Sequence, residues 1–292
     1  MDKNTVNRTL MMPRDILFVL FSLAVVTLFY GPLLGLMSLC LKSELYSHII
    51  LIPLVSGYFL YSKRKSLWLE AGTSVYMGTV IAFAGIVLFW VGMKEGVRLN
   101  ENDRLALMIF SAVTIWIGGW VFFYGKRSFR VAVFPLLFLF FLTPIPSHGV
   151  ETFICFLQIC SAEIAHLFFT LTGLPVLREG FTFHLSGLSI EVAKQCSGIR
   201  SSIALVITSI VAGQLFLHSG WRRLILVLSV FPITVFKNGL RIVSLSLLGA
   251  YVDPRILGSE LHKSGGIPFF VIGLALLAPV VWILKRKEKA QG

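Results

Sequence analysis

Three residues near the end of the chain have side chains suited to nucleophilic attack on a carbonyl group. Cys196 can supply a thiolate, and His262 can give or accept a proton. Arg241 is a permanent cation that can stabilise a developing oxyanion. Each residue lies in or just before a long apolar segment, so this chemistry requires that all three meet at one depth of a membrane. Together they are the groups that a cysteine peptidase uses.

Composition predicts a polytopic all-α membrane protein. The chain has 292 residues, of which 56% are hydrophobic and 14% charged, and its mean hydropathy is +0.84. Soluble domains carry about 25% charged residues, whereas about 20 apolar residues of helix cross a bilayer. The net charge of +12 comes from Lys and Arg in short loops, which is a topology signal and not a sign of nucleic-acid binding. We therefore expect no nucleic-acid partner.

The four cysteines form no metal or redox motif. Their spacing matches neither a zinc site nor a Cys-x-x-Cys pair. Two of them, Cys155 and Cys160, are five residues apart on a predicted helix and cannot pair without unwinding it. We interpret these two and Cys40 as small buried hydrophobic residues, which leaves Cys196 as the reactive candidate. We expect no metal and no organic cofactor.

Nine apolar segments could lie in a membrane. Both termini, the loops after the second and fourth segments and the start of the eighth are basic, which predicts that they are cytoplasmic. Two cytoplasmic termini require an even number of crossings, so we predict eight transmembrane helices. Residues 150–173 are assigned to an outer interfacial or re-entrant helix, because polar residues interrupt its apolar run. The nine segments are about 15–41, 47–61, 75–93, 105–124, 131–146, 150–173, 198–218, 222–250 and 265–284. The interrupting residues are Glu151, Gln158, Glu163 and His166, and a single helical stripe contains Glu151, Cys155, Gln158, Ala162 and His166.

Residues 175–193 are the part of the chain with β character. Apolar and polar residues alternate there, with Gly180 and Gly187 as turn points, which predicts a short extracytoplasmic β-hairpin. The expected fold is therefore an all-α polytopic membrane protein with about eight transmembrane helices, one outer interfacial or re-entrant helix and this hairpin. No repeat divides the chain, so residues 1–292 are expected to form a single integral membrane domain.

Helix geometry predicts that the three reactive residues lie on the same side of the membrane. The seventh segment begins near Cys196 and descends to a basic turn at Trp221–Arg223. Arg241 follows that turn by about 18 residues, or roughly 27 Å of helix, close to the ~30 Å thickness of the hydrocarbon layer. His262 precedes the last segment, which runs towards the basic C-terminus. All three are therefore expected at the extracytoplasmic end.

Each of these residues also has a simpler interpretation. A free Cys is often a buried hydrophobe, an Arg near the end of a span can extend to the headgroups, and a His in a loop is usually solvated. Ser197 and Gly198 lie where a helix begins, and the unpaired amides of a helix N-terminus favour a thiolate and an oxyanion. Further candidates for orienting groups, each more often structural than catalytic, are Asn238, Arg200 and Glu191.

These motifs resemble the exosortases, the bacterial members of the exosortase/archaeosortase family of polytopic membrane proteins. That family has a Cys in a C-S-G-[IL]-R-S context, an Arg in an N-G-x-R context in the next span and a His before the final span. The corresponding stretches here are Cys196–Ser201, Asn238–Arg241 and His262. The resemblance covers nearly the whole chain and includes YSHIILIPLVSGYFLY at 46–61, TPIPS, GLPVLREG and SIEVA.

The resemblance implies a membrane cysteine protease or transpeptidase. Its substrates would be exported proteins with a C-terminal sorting tail of the PEP-CTERM kind: a short motif, one hydrophobic span and a basic cluster. Cys196 would be the nucleophile, Arg241 the oxyanion stabiliser and His262 the general acid and base. The implied partners are these substrates, membrane lipids and an unknown acceptor. The implied location is the bacterial inner membrane, with cytoplasmic termini and an extracytoplasmic active site.

Two other functions remain open on the sequence. Lys237 and Arg241 could line the path of a transporter or flippase for an anionic lipid or sugar, although no paired repeat accompanies them. A lipid-linked transferase of exopolysaccharide export would need outer carboxylates at motif spacing, and none is evident. Thiol alkylation separates the alternatives, since it should abolish a cysteine protease and need not affect either of the others.

Overall fold

Helices dominate the computed structural model of the chain. The structure describes residues 3–94, 98–173, 175–185, 188–192, 194–253, 255 and 266–290. The helices are α1 (Lys3–Leu28), α2 (Tyr30–Lys42), α3 (Leu51–Ser62), α4 (Arg64–Leu69), α5 (Val75–Met93), α6 (Glu101–Phe138), α7 (Ser147–Thr172), α8 (Ile199–Phe216), α9 (Gly220–Tyr251) and α10 (Gly266–Lys289). Short 3₁₀ helices cover Glu44–Ile50, Leu139–Leu142 and Lys194–Ser197. The strands are β1 (Leu177–Glu179), β2 (Thr182–Leu185) and β3 (Leu188–Glu191).

The apolar helices confirm the predicted fold class, an all-α polytopic membrane protein with a small antiparallel sheet. Within the described ranges, seven helices are long and apolar enough to cross a membrane. The number is eight if the bent pair Pro13–Leu28 and Tyr30–Lys42, which meet at 70°, counts as one span. Because α7 itself meets these criteria, its placement along the outer interface stays a prediction.

The chain folds as two compact units, Met1–Ser147 and His148–Gly292. In the first unit, α6 turns back on itself at Gly125, whose backbone is not helical (φ 80°, ψ 172°). The rings of Phe110 and Phe140 are therefore 4.7 Å apart, although a straight helix of that length would separate them by about 45 Å. This hairpin supplies the two predicted segments 105–124 and 131–146.

Glycines on α5 allow it to pack closely along the first arm of α6. Gly78, Gly85 and Gly92 face Phe122, Ile115 and Met108 in antiparallel order. A Cβ atom on Gly78 would lie 2.5 Å from the Phe122 Cα, so only glycine permits this approach. In lipid, helices associate through such close packing because no hydrophobic effect drives them together.

Polar contacts fasten the second arm of α6 inside the first unit. Pro135 has no N–H to donate to the carbonyl of Val131 one turn earlier, and the Lys63 ammonium donates to that carbonyl instead, at 3.1 Å. At the open end of the hairpin, the Asn102 amide donates to the Ile145 carbonyl at 3.0 Å. These bonds compensate backbone groups that lipid could not solvate.

The second unit contains a three-stranded antiparallel sheet in the order β1–β2–β3. The predicted hairpin over 175–193 therefore has one strand more than expected. Gly180 (φ 61°) makes the first turn, and Gly187, the second predicted turn point, lies outside the described residues. Phe183 and Leu185 alternate inwards along β2 and pack on Ala162, Ala165 and Phe169 of α7 and on Ile242 and Val243 of α9. The sheet is thus held against α9 at the level of Arg241.

Two details of α7 differ from the sequence-based expectation. Its predicted polar stripe does not form one exposed face, because Gln158 and Ala162 are buried. The Gln158 amide donates to the carbonyl of Val192 just after β3. Cys155 was expected to be buried and is exposed, whereas Cys40 is buried as expected and Cys160 is half-buried. All three are free cysteines.

The last three helices, α8, α9 and α10, are joined at one end by Glu288. Its carboxylate accepts the N–H groups of His218 at 3.0 Å and Ser219 at 2.7 Å, and it pairs with Arg222 at 3.2 Å. The α8–α9 turn and the basic end of α10 therefore lie together, as the topology prediction required. Consequently α8 and α10 both begin at the opposite end of this unit.

Candidate active site

The turn that carries Cys196 leads directly into α8. The backbone of Lys194–Ser197 forms a 3₁₀ helix, and Gly198, the residue just before α8, has the left-handed conformation (φ 75°, ψ 13°). No side chain caps this helix N-terminus, so its first amides remain available for a negative charge. Ser197 is fully buried, and its hydroxyl has no hydrogen-bond partner within the described residues.

Contacts between α8 and α9 run in antiparallel register and locate the turn that contains Cys196. The contacting pairs, in order along α8, are Gly198 with Asn238, Ser201 with Lys237, and Gly213 with Leu226. Gly198 therefore meets α9 at Asn238, three residues before Arg241, and Cys196 precedes Gly198 by two residues. The turn that contains Cys196 therefore lies next to the segment of α9 that contains Asn238 and Arg241.

Glycine at position 198 is required for this approach. Its φ of 75° belongs to a region that residues with a Cβ avoid. A Cβ there would also lie 2.9 Å from the Asn238 Oδ1. The hydroxyls of Ser201 and Ser202 donate to the Gly198 carbonyl at 3.0 and 2.7 Å. The turn before α8 is thus fixed from both sides.

One face of α9 buries three polar side chains within about one turn. Lys237 and Asn238 are each 1% exposed, and Arg241 is 9% exposed. Lys237 donates to the Ser201 hydroxyl, and the Asn238 amide donates to the Ser161 hydroxyl on α7 at 2.9 Å. The burial of Arg241 argues against the alternative that it extends to lipid headgroups. Burying polar side chains inside a membrane protein costs free energy, so such a cluster in a span indicates a functional site.

The start of α10 lies at the level of the same turn. A Cβ on Gly273 would be 2.8 Å from Leu205 of α8 and 3.3 Å from the Lys237 side chain. Gly273 of α10 and Leu205 of α8 therefore face each other. Both helices run in the same direction and rise by 1.5 Å per residue. Gly266, the first residue of α10, and Gly198 each lie seven residues before this contact, so they lie at similar heights. His262 lies outside the described residues, four positions before α10, so its role stays a prediction.

The remaining candidates lie at the edge of this region. Arg200, in the first turn of α8, and Glu191, at the end of β3, are both exposed. Sequence reasoning assigned no contact role to Ser161, Ser201 or Gln158, which hold the Asn238 amide, the Lys237 ammonium and the end of the sheet. Gln158 belonged to the stripe of α7 and Ser201 to the Cys196 motif, but neither pattern indicated which group the side chain would contact.

A largely exposed ion pair joins the sheet and α7. The Arg178 guanidinium donates to Glu163 at 2.7 Å and to the Gly180 carbonyl at 2.9 Å, and it lies 5.7 Å from the centre of the Phe183 ring. The hydrogen bond to Glu163 raises the pKa of Arg178 further above its already high ordinary value. Among the described residues, no cluster of three or more His, Cys, Asp or Glu side chains could hold a metal ion.

Comparison of the chain with models of known protein families identifies its family. A family model described as transmembrane exosortase matches residues 40–279, a range that includes Cys196, Arg241 and His262. The chain belongs to the transmembrane exosortase family. It is accordingly a multi-pass membrane protein. Comparisons with the curated proteins and with the solved structures give no match.

Proposed function

We propose that the chain is a membrane-embedded cysteine protease or transpeptidase that cleaves the C-terminal sorting tail of exported proteins. The observation that supports it best is the α8–α9 register, which places the Cys196 turn next to the segment of α9 whose buried polar face contains Arg241. Membership of the exosortase family supports the same interpretation. A buried cation next to an uncapped helix N-terminus favours a thiolate and stabilises an oxyanion.

The reaction begins when the Cys196 thiolate attacks the scissile carbonyl carbon. A carbon–sulfur bond forms, and the electron pair of the carbonyl moves onto its oxygen. Arg241 and the first amides of α8 stabilise that oxyanion. When the oxyanion collapses, the carbon–nitrogen bond breaks, and protonated His262 gives its proton to the leaving amine. The product is a thioester on Cys196.

The thioester is then resolved by an amine or by water. The incoming nucleophile loses a proton to the His262 imidazole, and the Cys196 thiolate leaves. An amine acceptor makes this a transpeptidation, and water makes it a hydrolysis. The transferred group is the exported part of the substrate, because the thioester forms on the carbonyl that precedes the cleaved bond.

The proposed substrate tail matches the proposed orientation of the enzyme. A tail with one apolar span and a basic end keeps that end in the cytoplasm. Its cleavage motif then lies at the extracytoplasmic surface, at the depth proposed for the Cys196 turn. We place the enzyme in the bacterial inner membrane with both termini cytoplasmic. Its partners are membrane lipids, the tailed substrates and an acceptor that carries the nucleophile.

Co-expression with a tailed substrate tests the proposal. The wild-type chain should shorten the substrate, whereas Cys196→Ala should leave it at full length while the enzyme accumulates normally in the membrane. Cys155→Ala is the matched control, because this exposed free cysteine lies outside the proposed site, and it should retain cleavage. Normal shortening by Cys196→Ala would overturn the proposal.

Trapping with an amine tests the intermediate. Hydroxylamine should intercept the thioester, and the released protein should then carry a C-terminal hydroxamate, which mass spectrometry detects. The hydroxamate should form with the wild-type chain and with Cys155→Ala. A product that carries only a free carboxylate at saturating hydroxylamine would argue for direct hydrolysis without an exchangeable thioester.

A further inference from the structure

A second site lies in the first unit, near the turn of the α6 hairpin. A cavity of about 220 Å³ opens there between α3, α4 and α6. Its walls are mainly aromatic and apolar, with Trp68, Trp120 and Tyr124 joined by two leucines. Ring centroids of Trp120 and Tyr124 are 4.8 Å apart, and those of Trp68 and Tyr124 are 6.0 Å apart. The rings therefore form a connected and rigid wall.

Two buried polar groups line this apolar cavity. Ser128 is 0% exposed, and its hydroxyl has no hydrogen-bond partner within the described ranges. The indole N–H of Trp120 is likewise buried without a described partner. A buried donor that stays unpaired costs free energy, so native proteins rarely leave two of them in one place. A ligand with acceptor oxygens in the cavity would satisfy both donors.

The surroundings of the cavity are strongly basic. Arg64 lines it and is exposed, and its guanidinium is held by the Tyr61 carbonyl at 3.0 Å. Arg14 lies over the Tyr124 ring at 4.9 Å. Neighbouring basic residues in the sequence are Lys63, Lys65, Lys126, Arg127 and Arg130, against the acids Asp15 and Glu70. Asp15 already accepts the Tyr124 hydroxyl at 3.1 Å. The excess of positive charge around the cavity therefore favours an anionic ligand.

We propose that this cavity, formed between Arg64, Trp120 and Ser128, binds an anionic phospholipid of the surrounding membrane. Its phosphate pairs with Arg64, and its ester oxygens accept from Ser128 and Trp120. The adjoining acyl carbons lie against the aromatic wall. Basic pockets between membrane helices bind anionic lipid headgroups for the same reasons.

The size of the cavity fits one part of a lipid. A cavity of about 150 Å³ holds a benzene ring, so about 220 Å³ holds the ester region and the first acyl carbons. The rest of the lipid must remain outside, and Trp68, which is 42% exposed, marks a wall that continues to the surface. This proposal is independent of the proposed function.

The test measures thermal stability of the full-length chain in detergent, with phosphatidylglycerol, phosphatidylcholine or inorganic phosphate added. Phosphatidylglycerol should raise the melting temperature of the wild-type chain, and the other two should have little effect. The matched pair is Arg64→Gln and Lys65→Gln, since both remove one positive charge and only Arg64 lines the cavity. Arg64→Gln should weaken apparent lipid affinity by at least about tenfold, as loss of a charged hydrogen bond implies, and Lys65→Gln should preserve it.

Ser128→Ala adds a readout that a purely structural role would not give. Because the hydroxyl has no described partner, its removal should not lower the melting temperature without lipid. The same variant, and Trp120→Phe, should each weaken the response to phosphatidylglycerol about two- to tenfold. Equal stabilisation by phosphatidylcholine, equal stabilisation by inorganic phosphate, or an unchanged response in Arg64→Gln would each overturn the lipid proposal.

Discussion

Replacing Gly198 with alanine should damage the proposed site more than it damages the fold. Gly198 has φ 75°, and its α-hydrogen faces the Asn238 side chain. Alanine there adds two separate penalties. The left-handed backbone costs about 1–2 kcal/mol for a residue with a Cβ. The new methyl group, at 2.9 Å from Asn238 Oδ1, also displaces that side chain.

The second penalty follows from the contacts of Asn238. If its side chain moves, its hydrogen bond to Ser161 is lost, at about 0.5–1.5 kcal/mol. The total for Gly198→Ala is then about 1.5–3.5 kcal/mol of unfolding free energy. Because the methyl group separates α8 from α9 at the Cys196 turn, tail cleavage should fall by more than this loss of folded protein explains.

Two glycines provide matched controls for the two penalties. Gly180 also has a positive φ (61°), but a methyl group there would have nothing within 4 Å, so Gly180→Ala isolates the backbone cost. Gly220 begins α9 without a positive φ and with open space around it, so Gly220→Ala should be neutral. Thermal unfolding in detergent and cleavage of a co-expressed tailed substrate measure the two effects. If Gly198→Ala unfolds and cleaves like Gly220→Ala, the argument for a fixed Cys196 turn is wrong.

Three further substitutions test other parts of the structure. Gly78→Ala should destabilise the first unit by about 1–3 kcal/mol, because its methyl group would meet the Phe122 backbone. Gly57 in α3 has open space around it, so Gly57→Ala should be neutral in the same thermal unfolding assay. Ser201→Ala should cost about 1.5–3 kcal/mol of unfolding free energy, since it removes the described hydrogen-bond partner of a buried ammonium. Glu163→Gln should change stability by under about 1 kcal/mol, because the Glu163 side chain is 61% exposed and water screens its pair with Arg178; a larger loss would show that the pair holds the sheet in place.

The sequence predicted the helices better than their mutual contacts. Hydropathy and the basic loop located both arms of α6 and the reversal between them, but they did not identify Gly125 as the residue at which the chain reverses. In the sheet, Gly180 makes the turn that the sequence predicted, yet strands of three or four residues give so short an alternation that one hairpin was expected. Lipid accepts apolar side chains as readily as the protein interior does, so hydropathy could not separate exposed Cys155 from buried Cys40.

Part of the candidate site could be predicted from the sequence with helix geometry alone. Helical rise alone predicted that Cys196 and Arg241 reach the same depth. That depth stays a prediction, and the contact of Gly198 with Asn238 is the observation nearest to it. The partners of Lys237 and Asn238 could not be predicted, because they depend on how each helix is rotated about its axis. Lys237 and Arg241 of α9 pointed to a functional site, since a charged side chain inside a membrane costs free energy and is rare without a function.

The glycines of α5 recur every seven residues, and so do the residues opposite them on α6. A repeat of seven is slightly shorter than two full turns of an ideal helix, so two helices that keep it in contact must wind around each other with a left-handed twist. Such winding lets the two rods touch along their entire length instead of crossing once. Sliding one helix past the other by a single residue would move each glycine away from the residue that it now faces, so the close packing of α5 on α6 opposes such a slide.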